Sequence, residues 1–212
     1  ADPDLWGHLR FGLDNLAAGR ILRTDVYSYL TEPGAWINHE WLAEVCLAAA
    51  YRLGGTTGLV LLRLVFALGT MTAVYAAGRL RGAGVIGACA ATLATAAALR
   101  SVLISARPQM FTALCCALLL VILVRRETRP GVVWWLVPLF VVWTNAHGGF
   151  LAGVGLLGVA VLVEGARGYG RAGSLRALLA TPFGSLAGAS LLALAGTLVN
   201  PYGLGLWRFL LK

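Results

Sequence analysis

The chain has 212 residues, of which 59% are hydrophobic and 12% charged, with a mean hydropathy of +0.79. An ordinary soluble domain carries about twice that share of charge, so the composition excludes a soluble globular protein and predicts an integral membrane one. The net charge of +8 does not indicate nucleic acid, because the arginines sit in short loops between apolar runs, the pattern that orients a membrane protein.

Charge is unevenly placed along the chain. Seven of the nine acidic residues lie in the first 44 positions against three arginines, a net of −4. The remaining fourteen basic and two acidic residues give +12. Residues 1–57 are expected to form an external loop ending in a juxtamembrane amphipathic helix, and 58–212 a transmembrane bundle of about six spans. The chain reads as a piece of a longer polytopic protein, with at least one span upstream. The four cysteines have no CxxC spacing, so neither a disulfide framework nor a zinc site is predicted; they read as small apolar packers.

The first stretch, Asp2-Pro3-Asp4-Leu5-Trp6-Gly7-His8-Leu9-Arg10, concentrates two carboxylates, a histidine and an arginine. The leucines from Leu5 to Leu16 recur at helical spacing over Asp4–Ala18, and Gly19 supplies a stop. A carboxylate here serves as a general base or holds a metal, or else caps the helix N-terminus. Residues 41–53 are short for a span and predict a helix lying on the membrane, with Glu40 and Glu44 on one face, after which Gly54-Gly55 mark a break.

Spans are expected at 58–78, 82–103, 109–124, 132–145, 150–166 and 178–199. Their connections alternate in character. One set holds Arg79 and Arg81, then Arg125, Arg126 and Arg129, then Arg167, Arg171 and Arg176, and is cytoplasmic by the positive-inside rule. The other set holds Ser105-Ala106-Arg107-Pro108-Gln109, Asn145-Ala146-His147-Gly148-Gly149 and Asn200-Pro201-Tyr202-Gly203. This second set is expected on the external face together with residues 1–40. Arg107 carries a guanidinium fork suited to phosphate, or else snorkels to the headgroups. Asn145 and His147 exceed what a tight glycine hairpin needs, and so predict a site facing a cavity.

Taken together, these motifs resemble the GT-C glycosyltransferases, among them the protein O-mannosyltransferases and aminoarabinose transferases. The spacing from Asp4 to Gly19 is similar to the external helical motif that opens with the catalytic aspartate there. His39-Glu40-Trp41-Leu42 stands at the entry to the juxtamembrane helix, and Leu62-Arg63-Leu64 resembles the Arg-Leu opening the next span. The runs DPDLWGHLRFG, WINHEWL, SARPQMF and NAHGGF resemble a group of bacterial membrane proteins placed with GT-C enzymes. The chain departs from the mannosyltransferase pattern in having Asp4-Leu5 where that pattern has Asp-Glu. The resemblance implies a plasma (inner) membrane, multi-pass enzyme with its site on the external or periplasmic face. It would move a sugar from a polyprenyl-phosphate donor, with Asp4 or Asp2 catalytic and His8, Arg10, His39, Glu40, Arg107, Asn145 and His147 binding substrate. No cofactor is required by this reading and no metal ligands are assigned, although a divalent metal is compatible with it. The expected partners are the polyprenyl-phosphate-linked sugar, membrane lipid and an acceptor, with no nucleic acid. The alternative class is a transporter or flippase of a lipid-linked or anionic substrate, which needs functional polar residues at mid-membrane depth.

Overall fold

The computed structural model describes residues 3–24, 27 and 36–212, and every regular element among them is helical. The chain folds as α1 (Pro3–Ala18), α2 (Trp41–Leu80), α3 (Val85–Ala98), α4 (Arg100–Ile104), α5 (Gln109–Arg125), a 3-10 turn (Pro130–Trp135) leading into α6 (Leu136–Ala146), α7 (Phe150–Ala172), α8 (Leu175–Leu179), α9 (Pro182–Gly196) and α10 (Leu204–Leu210).

Helix α1 ends where the sequence predicts. Gly19 adopts φ +61°, a conformation that costs glycine nothing, and the Asn15 Oδ1 accepts from the Leu22 N–H at 2.8 Å to secure the turn. The predicted break at 54–55 is also present. Gly54 (φ −148°, ψ 17°) and Gly55 (φ 57°, ψ −141°) leave helical geometry inside α2 and divide it into a leg over 41–53 and a leg over 56–80. The bend is tight enough that a Cβ on Gly58 would run into the Ala50 carbonyl oxygen.

The first leg of α2 packs on α1 through Ala43, Glu44, Leu47 and Ala48, all buried. Contact is closest at Gly12, where a Cβ would collide with the Glu44 carbonyl oxygen and lie 2.9 Å from the Ala48 Cβ. Glu44 therefore faces inward, 2% exposed. Leu9, Met110, Phe111 and Ala146 complete this core, and a second core gathers Leu136, Phe140, Trp143, Phe150, Leu186 and Ala193 from α6, α7 and α9.

Among the described residues, α2 and α7 are long and apolar enough to cross a membrane. The other apolar helices fall short of the roughly 20 residues that a perpendicular span needs, at 14 residues for α3, 17 for α5 and 15 for α9. Two expected spans are interrupted. The run over 82–103 breaks at Leu99, where ψ reaches 13°. The run over 178–199 restarts at Thr181, whose hydroxyl accepts from the Phe183 N–H while Pro182 takes the first helical position. Helix α7 outruns its expected end at 166 and continues to Ala172, stopped by Gly173 at φ +70°.

Candidate functional site

Asp4 sits in the first turn of α1, and its Oδ2 accepts from the Arg107 Nη1 at 2.7 Å. Arg107 lies in the turn between α4 and α5, after Ser105 has taken extended backbone and before Pro108 starts the next helix. It borders a groove of about 480 Å3 whose apolar wall includes Leu5, Trp6, Leu59 and Val60. A second guanidinium, Arg63, lines the same groove. Its Nη1 donates to the Ile104 carbonyl at 2.9 Å, while its Nε is buried with no hydrogen-bond partner among the described residues.

One turn beyond Asp4, on the same face of α1, His8 reaches the first leg of α2. Its Nδ1 lies 3.2 Å from Glu44 Oε1 and 3.6 Å from Glu40 Oε2. The other oxygen of each carboxylate is held from outside that trio. Glu44 Oε2 accepts from the Asn38 Nδ2 at 2.6 Å, and Glu40 Oε1 faces His147 Nε2 at 3.3 Å and His39 Nε2 at 3.7 Å. All three histidines of the chain thus surround the single carboxylate of Glu40. His8, Glu40 and Glu44 are of metal-ligating type, with their ligand atoms within 4.8 Å of one another.

The His147 ring is fixed by its second nitrogen. Nδ1 accepts the Gly149 N–H at 2.9 Å and lies 2.8 Å from the Thr112 hydroxyl, which itself accepts from the Trp143 indole N–H at 3.0 Å. An Nδ1 that accepts leaves the proton of the neutral imidazole on Nε2, directed at Glu40. Burial, reinforced by the cationic forms of His39 and His8, lowers the His147 pKa to about 4. Its approach to Glu40 is therefore that of a neutral ring and not an ion pair. Gly149 is needed for this packing, because a Cβ there would meet the Thr112 hydroxyl and lie 2.8 Å from His147 Nδ1.

Electrostatics in the cluster balance burial against charge. Burial raises the Glu40 pKa and the Glu44 charge adds to this, while His39 and His8 oppose it. For His8, burial pulls downward, but the Glu44 hydrogen bond and the Glu40, Glu44 and Asp4 charges prevail and leave its pKa raised.

The remaining candidates have other engagements. Arg10 is 68% exposed and donates to Asp14 within its own helix at 2.9 Å, which turns it away from the cluster. Both donors of the Asn145 amide go to carbonyls, Val141 at 2.8 Å and Val199 at 2.7 Å, and its oxygen accepts from the Trp41 indole at 3.0 Å. Asn145 ties three segments together behind the cluster. Asp2 lies outside the described residues. The turn after α9 joins the same end of the molecule, since the Tyr202 hydroxyl accepts from the Asn38 N–H at 3.1 Å and Arg23 donates to the Pro201 carbonyl at 3.0 Å. No family model matches the chain, and no curated protein or solved structure matches it.

Glu44, Asn38, Arg63 and Thr112 are site residues that the sequence reading did not assign. Glu44 carried a signal, its i,i+4 spacing from Glu40. Asn38 and Thr112 carried none: Asn38 stands before α2 outside its helical periodicity, and Thr112 acts through His147, 35 residues away.

The arginine-rich loops meet one another as well. Arg81 pairs with Glu127 at 2.8 Å and Arg126 with Glu164 at 3.1 Å, which joins the loops after α2 and α5 to each other and to the C-terminal half of α7. The two classes of connection seen in the sequence therefore gather in two separate clusters.

Proposed function

We propose that the chain is a multi-pass membrane glycosyltransferase of GT-C type that takes its sugar from a polyprenyl-phosphate donor. The observation that carries this reading is the groove beside the Asp4–Arg107 pair. It combines an apolar wall with two guanidiniums, one of which pairs with the Asp4 carboxylate. That is the chemistry a lipid phosphate needs, with the tail along Leu5, Trp6, Leu59 and Val60 and the head between Arg63 and Arg107. The unpartnered Arg63 Nε gives a buried donor that an anion would satisfy.

Membrane insertion is supported by the surface. In the apolar windows of α2 and α7 only 17% of residues are buried, whereas a core helix of a soluble protein would be mostly covered. Val65, Leu68, Ile86, Leu162 and Leu191 are all exposed, a surface suited to lipid and costly in water. The Arg-rich loops then mark the cytoplasmic side, and the Asp4–Arg107 pair and the histidine cluster face outward.

In the reaction, the acceptor hydroxyl oxygen attacks the anomeric carbon and its proton passes to the Asp4 carboxylate. The bond from the anomeric carbon to the phosphate oxygen breaks, and the electron pair leaves with the polyprenyl phosphate. Arg107 has five N–H donors in a rigid fork, so it can hold Asp4 and stabilise the departing phosphate together. His39, Asn38 and His147 position the glutamates behind the reacting groups. The test is transfer from a polyprenyl-phosphate sugar by the purified chain in lipid nanodiscs. Transport of the intact donor without sugar release would instead support a flippase.

A further inference from the structure

The structure assigns a divalent-cation site to His8, Glu40 and Glu44, with His8 Nδ1, Glu40 Oε2 and Glu44 Oε1 as ligands. The inference stands apart from the glycosyl-transfer reading, since it rests on ligand geometry alone.

The spacing suits a metal. Bonds of about 2.1 Å to nitrogen or oxygen in tetrahedral geometry separate neighbouring ligand atoms by about 3.4 Å. The histidine nitrogen lies 3.2 Å from one carboxylate oxygen and 3.6 Å from the other, values on either side of that edge, and all three ligand atoms lie within 4.8 Å of one another. Surface acids that happen to lie close do not show such convergence from two helices, nor such burial: Glu44 is 2% exposed.

Outer partners fix the ligands in the manner of a built site. Asn38 donates to the distal oxygen of Glu44 at 2.6 Å, and His147 Nε2 lies 3.3 Å from that of Glu40. Each carboxylate is left with one oxygen turned toward His8. Such outer bonds orient metal ligands and raise their basicity. The His147 tautomer, set by Gly149 and Thr112, keeps the ring proton on Nε2, so this nitrogen is not a fourth ligand. Gly12 locks the scaffold, because only a residue without a Cβ lets α1 approach the Glu44 backbone so closely.

Two carboxylates and a neutral imidazole carry a charge of about −2, which a divalent cation neutralises in a desolvated position. One nitrogen and two oxygens favour a borderline first-row ion such as Zn2+ or Mn2+ over Ca2+, which takes six to eight oxygens. Three protein ligands leave at least one position open to water or substrate.

The experiment uses the full chain in detergent, stripped with EDTA and titrated calorimetrically with Zn2+ and with Mn2+. One equivalent per chain is expected, together with a rise in melting temperature that EDTA reverses. His8→Ala and Glu44→Gln should abolish saturable binding, and Asn38→Ala should weaken it about 10–100-fold. Glu127→Gln, at the Arg81 pair, should leave it unchanged. Absence of one-to-one uptake by the wild type, or its retention in folded His8→Ala protein, would overturn the assignment. Should the ligand variants fail to fold, Co2+ loading of the wild type decides. Visible d–d bands without a thiolate charge-transfer band place the ion on nitrogen and oxygen ligands, and a thiolate band would place it on the cysteines and sink the site.

Discussion

Arg107 Nη1 lies 2.7 Å from Asp4 Oδ2, so the turn before α5 is held against the first turn of α1. The pair joins a basic carboxylate to a fixed cation at the mouth of an apolar groove. If Asp4 takes the acceptor proton, Asp4→Asn keeps size and hydrogen bonding but removes the base. Transfer should fall roughly 10²–10⁴-fold with membrane expression little changed. Near-normal transfer by this variant would rule Asp4 out as the base.

Arg107→Lys keeps the charge and loses the planar fork that can grip Asp4 and phosphate together. Transfer should drop clearly in Arg107→Lys and further in Arg107→Ala. Full activity in the lysine variant would leave Arg107 as a residue that only reaches the headgroups.

The two loop clusters predict sidedness. In a variant without the four native cysteines, a cysteine replacing Gly203 should react with a membrane-impermeant maleimide from outside intact cells. One replacing Arg129 should react only after the membrane is opened. The reverse pattern would invert the topology and remove the site from the external face.

Gly12 sets the distance between α1 and the first leg of α2. Gly12→Val places a Cβ into the Glu44 backbone and the Ala48 methyl, so the helices must part. The expected cost is about 1–3 kcal/mol, typical of overpacking, read as a lower thermal midpoint in detergent. Gly170→Val, at a position inside α7 where a Cβ meets nothing within 4 Å, should be near neutral or slightly stabilising, since valine is a better helix former than glycine.

Asn145 is saturated by Trp41, Val141 and Val199. Asn145→Ala strands the Trp41 indole N–H and two carbonyls, and should destabilise by about 1–3 kcal/mol. The effect should appear mainly in the melting temperature, with the Michaelis constant for donor nearly unchanged. A large rise in that constant at unchanged stability would mean that Asn145 touches substrate.

Much of the helical plan was legible because glycine punctuates it: Gly19 and Gly55 break regular structure where their freedom at positive φ is used. The break at Leu99 was not legible, since the apolar run continues through it without a glycine or proline. Thr181-Pro182 did carry a start signal, but it lay inside an apolar run read as one span. At the site, alternation of the loops predicts one face for Asp4, Arg107 and His147; the contacts join Asp4 to Arg107 and set His147 beside Glu40. Pairing within that end was beyond the sequence. Periodicity puts Glu40 and Glu44 near one face but does not say that this face meets α1; the close approach at Gly12 decides it.

The bend at Gly54 and Gly55 acts as a goniometer. Glu44 rides on one arm of α2, with Glu40 just before its first turn, and Arg63 rides on the other, so two backbone dihedral pairs meter the separation between carboxylates and guanidinium. Neither glycine has a neighbour within 4 Å of the position a Cβ would occupy, and Gly55 stands at φ +57°. A side chain there meets no steric wall and acts only by closing off that dihedral region. Residue 55 is thereby a handle for retuning the offset between acid and groove while every side chain of both is kept.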